Sequence, residues 1–171
     1  MAVKAVISVS LDDLTQPTMT LAAPLLSIQP INNTNLDALL KLQLNADQKG
    51  FIESIPDCLK EAEEDKRYTP VALCYGQQVA GFAMYGLFNE CQTQRVWFDR
   101  FLIAQDYQGR GLGKAFALLL LEFLFCHFQC QQVFLSVYPN NHAAIALYHK
   151  LGFEFTGEQD INGEQVMSLC S

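Results

Sequence analysis

Apolar runs broken at intervals by Gly, Pro, Asn and Asp mark out the elements of this chain. Residues 27–31 read as a first strand. Thr34, with Asp37 three residues on, is a helix-start signal, and Leu36, Leu39, Leu40 and Leu42 supply apolar positions, so a helix is predicted over 35–44. A second helix is predicted over 57–66, after Pro56. Residues 71–75 and 79–85 flank Gly76-Gln77-Gln78 and read as a hairpin. A loop over 89–94 leads to a strand over 95–103. The long apolar run that follows is a helix over 114–128, then a strand over 132–138 stopped by Pro139. Residues 141–151 form a helix closed by Gly152, and strands over 153–158 and 165–169 meet at Asn162-Gly163, a tight-turn pair. The predicted order is β-α-α-β-β-β-α-β-α-β-β, a single mixed α/β domain.

Residues 1–26 are harder to read. A strand over 3–11 is one expectation, a poorly periodic stretch with two prolines over 15–24 another, and Met19 is a candidate natural start. The division predicted is an N-terminal extension over 1–26 and a catalytic domain over 27–171.

The chain has 171 residues, half of them hydrophobic, which suits one substantial core. Its net charge of −7 argues against nucleic acid as main partner and suits a cationic substrate. Six cysteines are scattered with no Cys-x-x-Cys pair. With no recognisable secretory signal and no apolar stretch long enough for a bilayer, free thiols, a cytoplasmic location and no membrane partner are expected. Cys126, His127 and Cys130 lie near the end of an apolar helix without a second ligand cluster, so packing and no metal are expected.

One segment carries most of the chemistry: Gln108-Gly109-Arg110-Gly111-Leu112-Gly113-Lys114, between a strand and a helix. Alternating glycines leave backbone N–H groups open to a phosphate, the helix end adds its dipole, and Arg110 and Lys114 add charge. Ala115 after Lys114 excludes a magnesium-binding Walker loop, and the glycine spacing does not fit a dinucleotide fingerprint. The loop alone leaves two readings open, a diphosphate cradle and an ordinary strand-to-helix turn.

With the loop, a second motif, 141–153 (Asn-His-Ala-Ala-Ile-Ala-Leu-Tyr-His-Lys-Leu-Gly-Phe), makes the chain resemble the GNAT superfamily of N-acetyltransferases. Gln108, Gly111 and Gly113 match the family's acetyl-CoA loop. Gly81-Phe82-Ala83-Met84-Tyr85-Gly86, Trp97-Phe98-Asp99-Arg100-Phe101 and Asn162-Gly163-Glu164 look like bacterial spermine/spermidine acetyltransferases. The resemblance implies a GNAT-like fold with a mixed, mostly antiparallel sheet whose central strands part. It also implies acetyl-CoA as cosubstrate, a small cationic amine as acceptor, and a homodimer paired through the final strands.

By resemblance, Phe101, Leu102 and Ile103 hold the pantetheine arm and acetyl group. Gln108, Gly109, Arg110, Gly111, Leu112, Gly113 and Lys114 hold the diphosphate, and Asn141 caps its helix and touches the cofactor arm. Tyr148 is the candidate general acid for the departing thiolate; the alternative is an apolar-face residue beside Ala144, Leu147 and Leu151. Asp99 is the candidate base and also a substrate contact; the alternative is a surface ion pair with Arg100 or Arg95. Simple alternation puts Trp97, Asp99 and Phe101 on one strand face and Phe98, Arg100 and Leu102 on the other. The acidic run Glu53, Asp57, Glu61, Glu63, Glu64, Asp65 reads either as a polyamine-binding wall, with Tyr75 or Tyr85 adding cation–π contact, or as a solvated helix face. Glu53, Asp57 and Tyr85 are the substrate-binding candidates. The rival functions are acetylation of another amine (an amino acid, a peptide N-terminus, an aminoglycoside) and a non-catalytic acetyl-CoA sensor. A nucleotide-binding role is disfavoured by the loop spacing.

Overall fold

The computed structural model describes residues 25–48, 50–90 and 93–171. The expectations for the N-terminal extension, the strand over 3–11 among them, lie outside the described residues.

Among the described residues seven strands and four α-helices follow the predicted order. The strands are β1 (Leu26–Pro30), β2 (Tyr68–Tyr75), β3 (Gln78–Glu90), β4 (Thr93–Ile103), β5 (Gln132–Val137), β6 (Glu154–Gln159) and β7 (Gln165–Cys170). The helices are α1 (Leu36–Leu39), α2 (Ile55–Glu64), α3 (Leu112–Phe128) and α4 (His142–Lys150). They build one sheet of order β1-β2-β3-β4-β5-β7-β6, in which only β4 and β5 run parallel.

Each face of the sheet carries its own core. Against α3, which buries Leu112, Phe116, Ala117, Leu120, Leu121 and Leu124, pack Ala83, Tyr85, Phe98, Leu135 and Tyr148. Against α1 and α2 pack Ala72, Cys74, Phe82, Met84 and Leu102, with Leu39, Ile55, Cys58 and Ala62 from the helices. Ser54 caps α2, accepting from the Asp57 N–H at 3.3 Å, and Pro56 sits in the first turn, where a missing N–H costs nothing. The Ser54 hydroxyl also bonds the Asp57 carboxylate at 2.5 Å.

Two expectations are corrected. The first helix is one turn, Leu36–Leu39, and not 35–44. Thr34 does not cap it: the Thr34 N–H and hydroxyl both donate to Asn32 Oδ1, and Asn35 stands at the N-cap. The chain beyond Leu40 leaves the helix to reach the turn that follows β4, where Gln43 C=O accepts from the Gln105 N–H at 2.8 Å. The second is the hairpin of β3 and β4, which extends into the predicted loop from both sides, because Phe88↔Arg95, Asn89↔Gln94 and Glu90↔Thr93 continue the ladder.

Candidate functional site

β4 and β5 pair only at Val96↔Val133 and Trp97↔Phe134. Beyond Trp97 the side of β4 turned away from β3 has no partner strand, and the gap opens into a cleft of about 920 Å³. Phe101, Leu102 and Ile103 line one wall, and Ser136, Val137 and Tyr138 the other. The parting implied by the resemblance is therefore present.

At one end lies the glycine loop. Gly109 (φ 73°) and Gly111 (φ 75°) are left-handed, where a side chain costs about 1–2 kcal/mol. A Cβ on either would meet nothing within 4 Å, so conformation and open approach, not packing, call for glycine. Gly111 is also the N-cap of α3 and no side chain caps that helix. The N–H groups of Leu112, Gly113 and Lys114 therefore lack intrahelical acceptors; the first helical bond runs from Ala115 N–H to Gly111 C=O at 3.2 Å. With Lys114 lining the cleft, these donors fit a diphosphate.

Three loop residues behave differently from expectation. The Arg110 guanidinium lies over the Tyr107 ring at 5.7 Å, and Leu112 is buried in the core beneath α3; neither side chain lines the cleft. Gln108 lines it, but its carboxamide is committed to protein partners. Nε2 donates to Gln48 Oε1 at 2.7 Å and to Ile103 C=O at 2.8 Å, while Oε1 accepts from Asn45 Nδ2 at 2.7 Å. Its backbone N–H donates to Gln105 C=O. Gln108 thus has no N–H left for a phosphate.

In the middle of the cleft stands Asp99, and here β4 breaks its alternation. Tyr85 pairs with Phe98 and Met84 with Arg100, so Asp99 is an extra residue, a β-bulge. The bulge turns Phe98 and Phe101 to the same side, their rings 5.2 Å apart, and puts Asp99 and Arg100 together in the cleft. The two-face assignment by simple alternation is corrected accordingly. Arg100 Nη1 bonds Asp99 Oδ2, Nε bonds Glu53 Oε2 at 3.0 Å, and Nη2 bonds Glu61 Oε2 at 3.1 Å. The Asp99 and Arg100 side chains are only 18% and 15% exposed, so the pair is not a surface one. Arg95 pairs with Glu158. Burial pushes the Asp99 carboxyl up to about 6, outweighing the opposite pull of Arg100.

α4 supplies the third part. Asn141 caps it as expected, its Oδ1 accepting from the Ala144 N–H at 3.2 Å, and Gly152 (φ 96°) follows its C-terminus. The cap fixes the helix so that Tyr148 reaches the cleft between the rings of Phe98 and Phe153. Its phenol is largely buried, with no hydrogen-bond partner among the described residues. Burial, then the Glu164 carboxylate, raises its pKa, so it stays protonated.

The substrate-side expectations divide. Glu53 lines the cleft. Asp57 does not: it is held at the α2 N-terminus by Ser54. Tyr85 does not either. It lies on the α3 side of the sheet, 5.5 Å from Phe123 and 6.0 Å from Phe128. Tyr75 stacks edge-on to Tyr107, away from the cleft. Three cleft residues were not singled out as site residues. Arg100 follows Asp99, Glu61 sits in the acidic run, and Glu164 closes the Asn162-Gly163-Glu164 turn, bonded to Ser136 Oγ at 3.0 Å. Their adjacency to marked residues was the available signal. Burial raises the Glu164 pKa. His127 stacks on Phe123, and no metal-binding group of His, Cys, Asp or Glu occurs among the described residues. Among the same residues no helix is long and apolar enough to cross a membrane.

The profile of the acetyltransferase (GNAT) family matches residues 36–153. The chain is 43% identical over 146 residues to the spermine/spermidine N(1)-acetyltransferase of Bacillus subtilis, covering 83% of this chain and 96% of that protein. Two solved structures share the fold. One is the spermidine N-acetyltransferase of Vibrio cholerae in complex with CoA and spermine, at TM-score 0.65 and 18% identity over 85% of this chain and 95% of that one. The other is the PaiA N-acetyltransferase of Thermoplasma acidophilum in complex with coenzyme A, at TM-score 0.62 and 13% identity over 85% and 99%.

Proposed function

The chain belongs to the acetyltransferase (GNAT) family, and from that membership we propose that it moves an acetyl group from acetyl-CoA to a primary amine of a polyamine of the spermidine or spermine class. The observation that carries the acceptor is the middle of the cleft, where Glu53, Glu61 and Asp99 surround a single Arg100 and Glu164 faces them. Carboxylates outnumber the cation there, which favours a ligand bearing several ammonium groups. The 43% identity to a spermine/spermidine acetyltransferase over most of both chains supports the same acceptor.

Chemistry follows from three groups. The loop 109–114 holds the diphosphate through backbone donors and Lys114, laying the thioester along Phe101, Leu102 and Ile103. Asp99, ionised above about pH 6, takes a proton from the ammonium directly or through one water. The neutral nitrogen attacks the thioester carbon, the C–N bond forms and the C–S bond breaks, and the second proton leaves the nitrogen through water to replace the one that Tyr148 gives up. The Tyr148 hydroxyl, protonated and without another partner, gives its proton to the leaving thiolate. Asn141 holds the helix that aims it.

A thiol-release assay with acetyl-CoA against spermidine, spermine, putrescine, lysine, a short peptide and an aminoglycoside tests this. Turnover confined to spermidine and spermine is expected. Turnover on a monoamine or peptide in preference to both overturns the polyamine reading, and bound acetyl-CoA with no turnover on any amine points to a sensor.

A further inference from the structure

We propose that Gln108 is a positioning residue that joins the donor loop to the acceptor wall, so that occupying one orders the other. The inference rests on the donor half of the reading above, the seating of a CoA diphosphate at 109–114. Three observations carry it. Both N–H groups of the Gln108 carboxamide, one lone pair of its oxygen and its backbone N–H are committed to protein acceptors and donors, so the side chain serves the fold rather than a ligand. Two of its partners, Asn45 and Gln48, are 63 and 60 residues away, on the stretch between α1 and α2. The Gln105 N–H to Gln43 C=O bond holds that stretch at a second point.

That stretch leads on to Glu53, which bonds Arg100 and through it meets Asp99 and Glu61. The residue on the other side of Gln108 is Gly109, the first left-handed position of the loop. A ligand that fixes the 109–114 backbone therefore fixes Gln108, and Gln108 fixes Asn45 and Gln48. Short side-chain bonds of 2.7 Å between neutral amides transmit that order well because their geometry is narrow. The amine would meet carboxylates already set in place when the donor is bound, a reciprocal coupling between the two ligands.

Hydrogen exchange of the amides of residues 43–48, with and without coenzyme A, tests the linkage without any amine. The variants are Gln108→Leu, which removes the junction, and Asn45→Ala, which removes one partner and leaves the loop untouched. In the wild type coenzyme A is expected to slow exchange over 43–48 by several-fold. In Gln108→Leu that protection disappears although coenzyme A still binds. In Asn45→Ala it falls, and the KM for spermidine rises in both variants with kcat changed less. The double variant shows no greater loss than Gln108→Leu alone. Unchanged protection in Gln108→Leu overturns the proposal. So does loss of coenzyme A affinity in Gln108→Leu with normal protection and amine KM in Asn45→Ala, which would make Gln108 a direct ligand contact. Failure of spermidine as substrate would show as no wild-type turnover and would leave the exchange measurement standing.

Discussion

Burial raises the pKa of both Tyr148 and Asp99, with a different consequence for each. The phenol is pushed up and keeps its proton, as the proposed general acid must. Tyr148→Phe is expected to lower kcat by about 10²-fold or more with the KM for acetyl-CoA largely kept; unchanged kcat in steady-state assays would remove it from the mechanism. Asp99 must be ionised to accept a proton, so the rate should fall as pH drops through about 6. Arg100 is the group that lowers the Asp99 pKa. Arg100→Gln is expected to move that acidic limb to higher pH, and Asp99→Asn to abolish the limb with most of the activity. A limb unmoved in Arg100→Gln would show that another group titrates. The same burial has a stability sign. A carboxyl whose folded pKa lies above its unfolded value stabilises the fold at low pH and loses that contribution as pH rises through about 6. Asp99→Asn is therefore expected to hold or raise the Tm at pH 7 while destroying activity, an outcome that calorimetry checks.

At the scale of elements, the glycine loop and α4 were legible because their signals are local. Glycine needs no neighbour to declare φ near 75°, Asn141 caps the helix it precedes, and Gly152 ends it. Gly111→Ala should cost about 1 kcal/mol of stability from left-handed strain. Because a Cβ there meets only open space in the protein, acetyl-CoA affinity should fall by more than that, at least tenfold by titration calorimetry. Equal losses would place the ligand elsewhere. Long-range features were not legible. The end of α1 is decided by bonds to Gln105 and Gln108, more than 60 residues on. Tyr85 alternates correctly along β3, but period two assigns two faces without saying which one bears the cleft. The Asp99 bulge has no glycine and no proline to announce it. The parting of β4 from β5 is a relation between strands that neither strand's own pattern encodes.

Over the whole molecule, a net charge of −7 and the carboxylates of the cleft would act together on the proposed polycation. Screening shortens their reach to about 8 Å at physiological salt. The KM for spermidine is expected to rise several-fold between 50 and 500 mM NaCl, whereas that for the anionic acetyl-CoA holds or falls. A spermidine KM indifferent to salt would count against an electrostatic acceptor site. The sheet bears on the site in another way. From Gly81↔Ile103 to Glu90↔Thr93, the pairing of β3 with β4 slips at a single place, where Asp99 stands unopposed. The placement of the proposed base thus depends on the length of β4 as well as on its letters. A chain with Asp99 deleted would bring Phe98 and Arg100 into unbroken register against Tyr85 and Met84, with every later side chain on its present face. Such a protein, one residue shorter, would fold and keep its donor loop. It would lack the proposed proton acceptor not through a change of residue but through the repair of an irregularity.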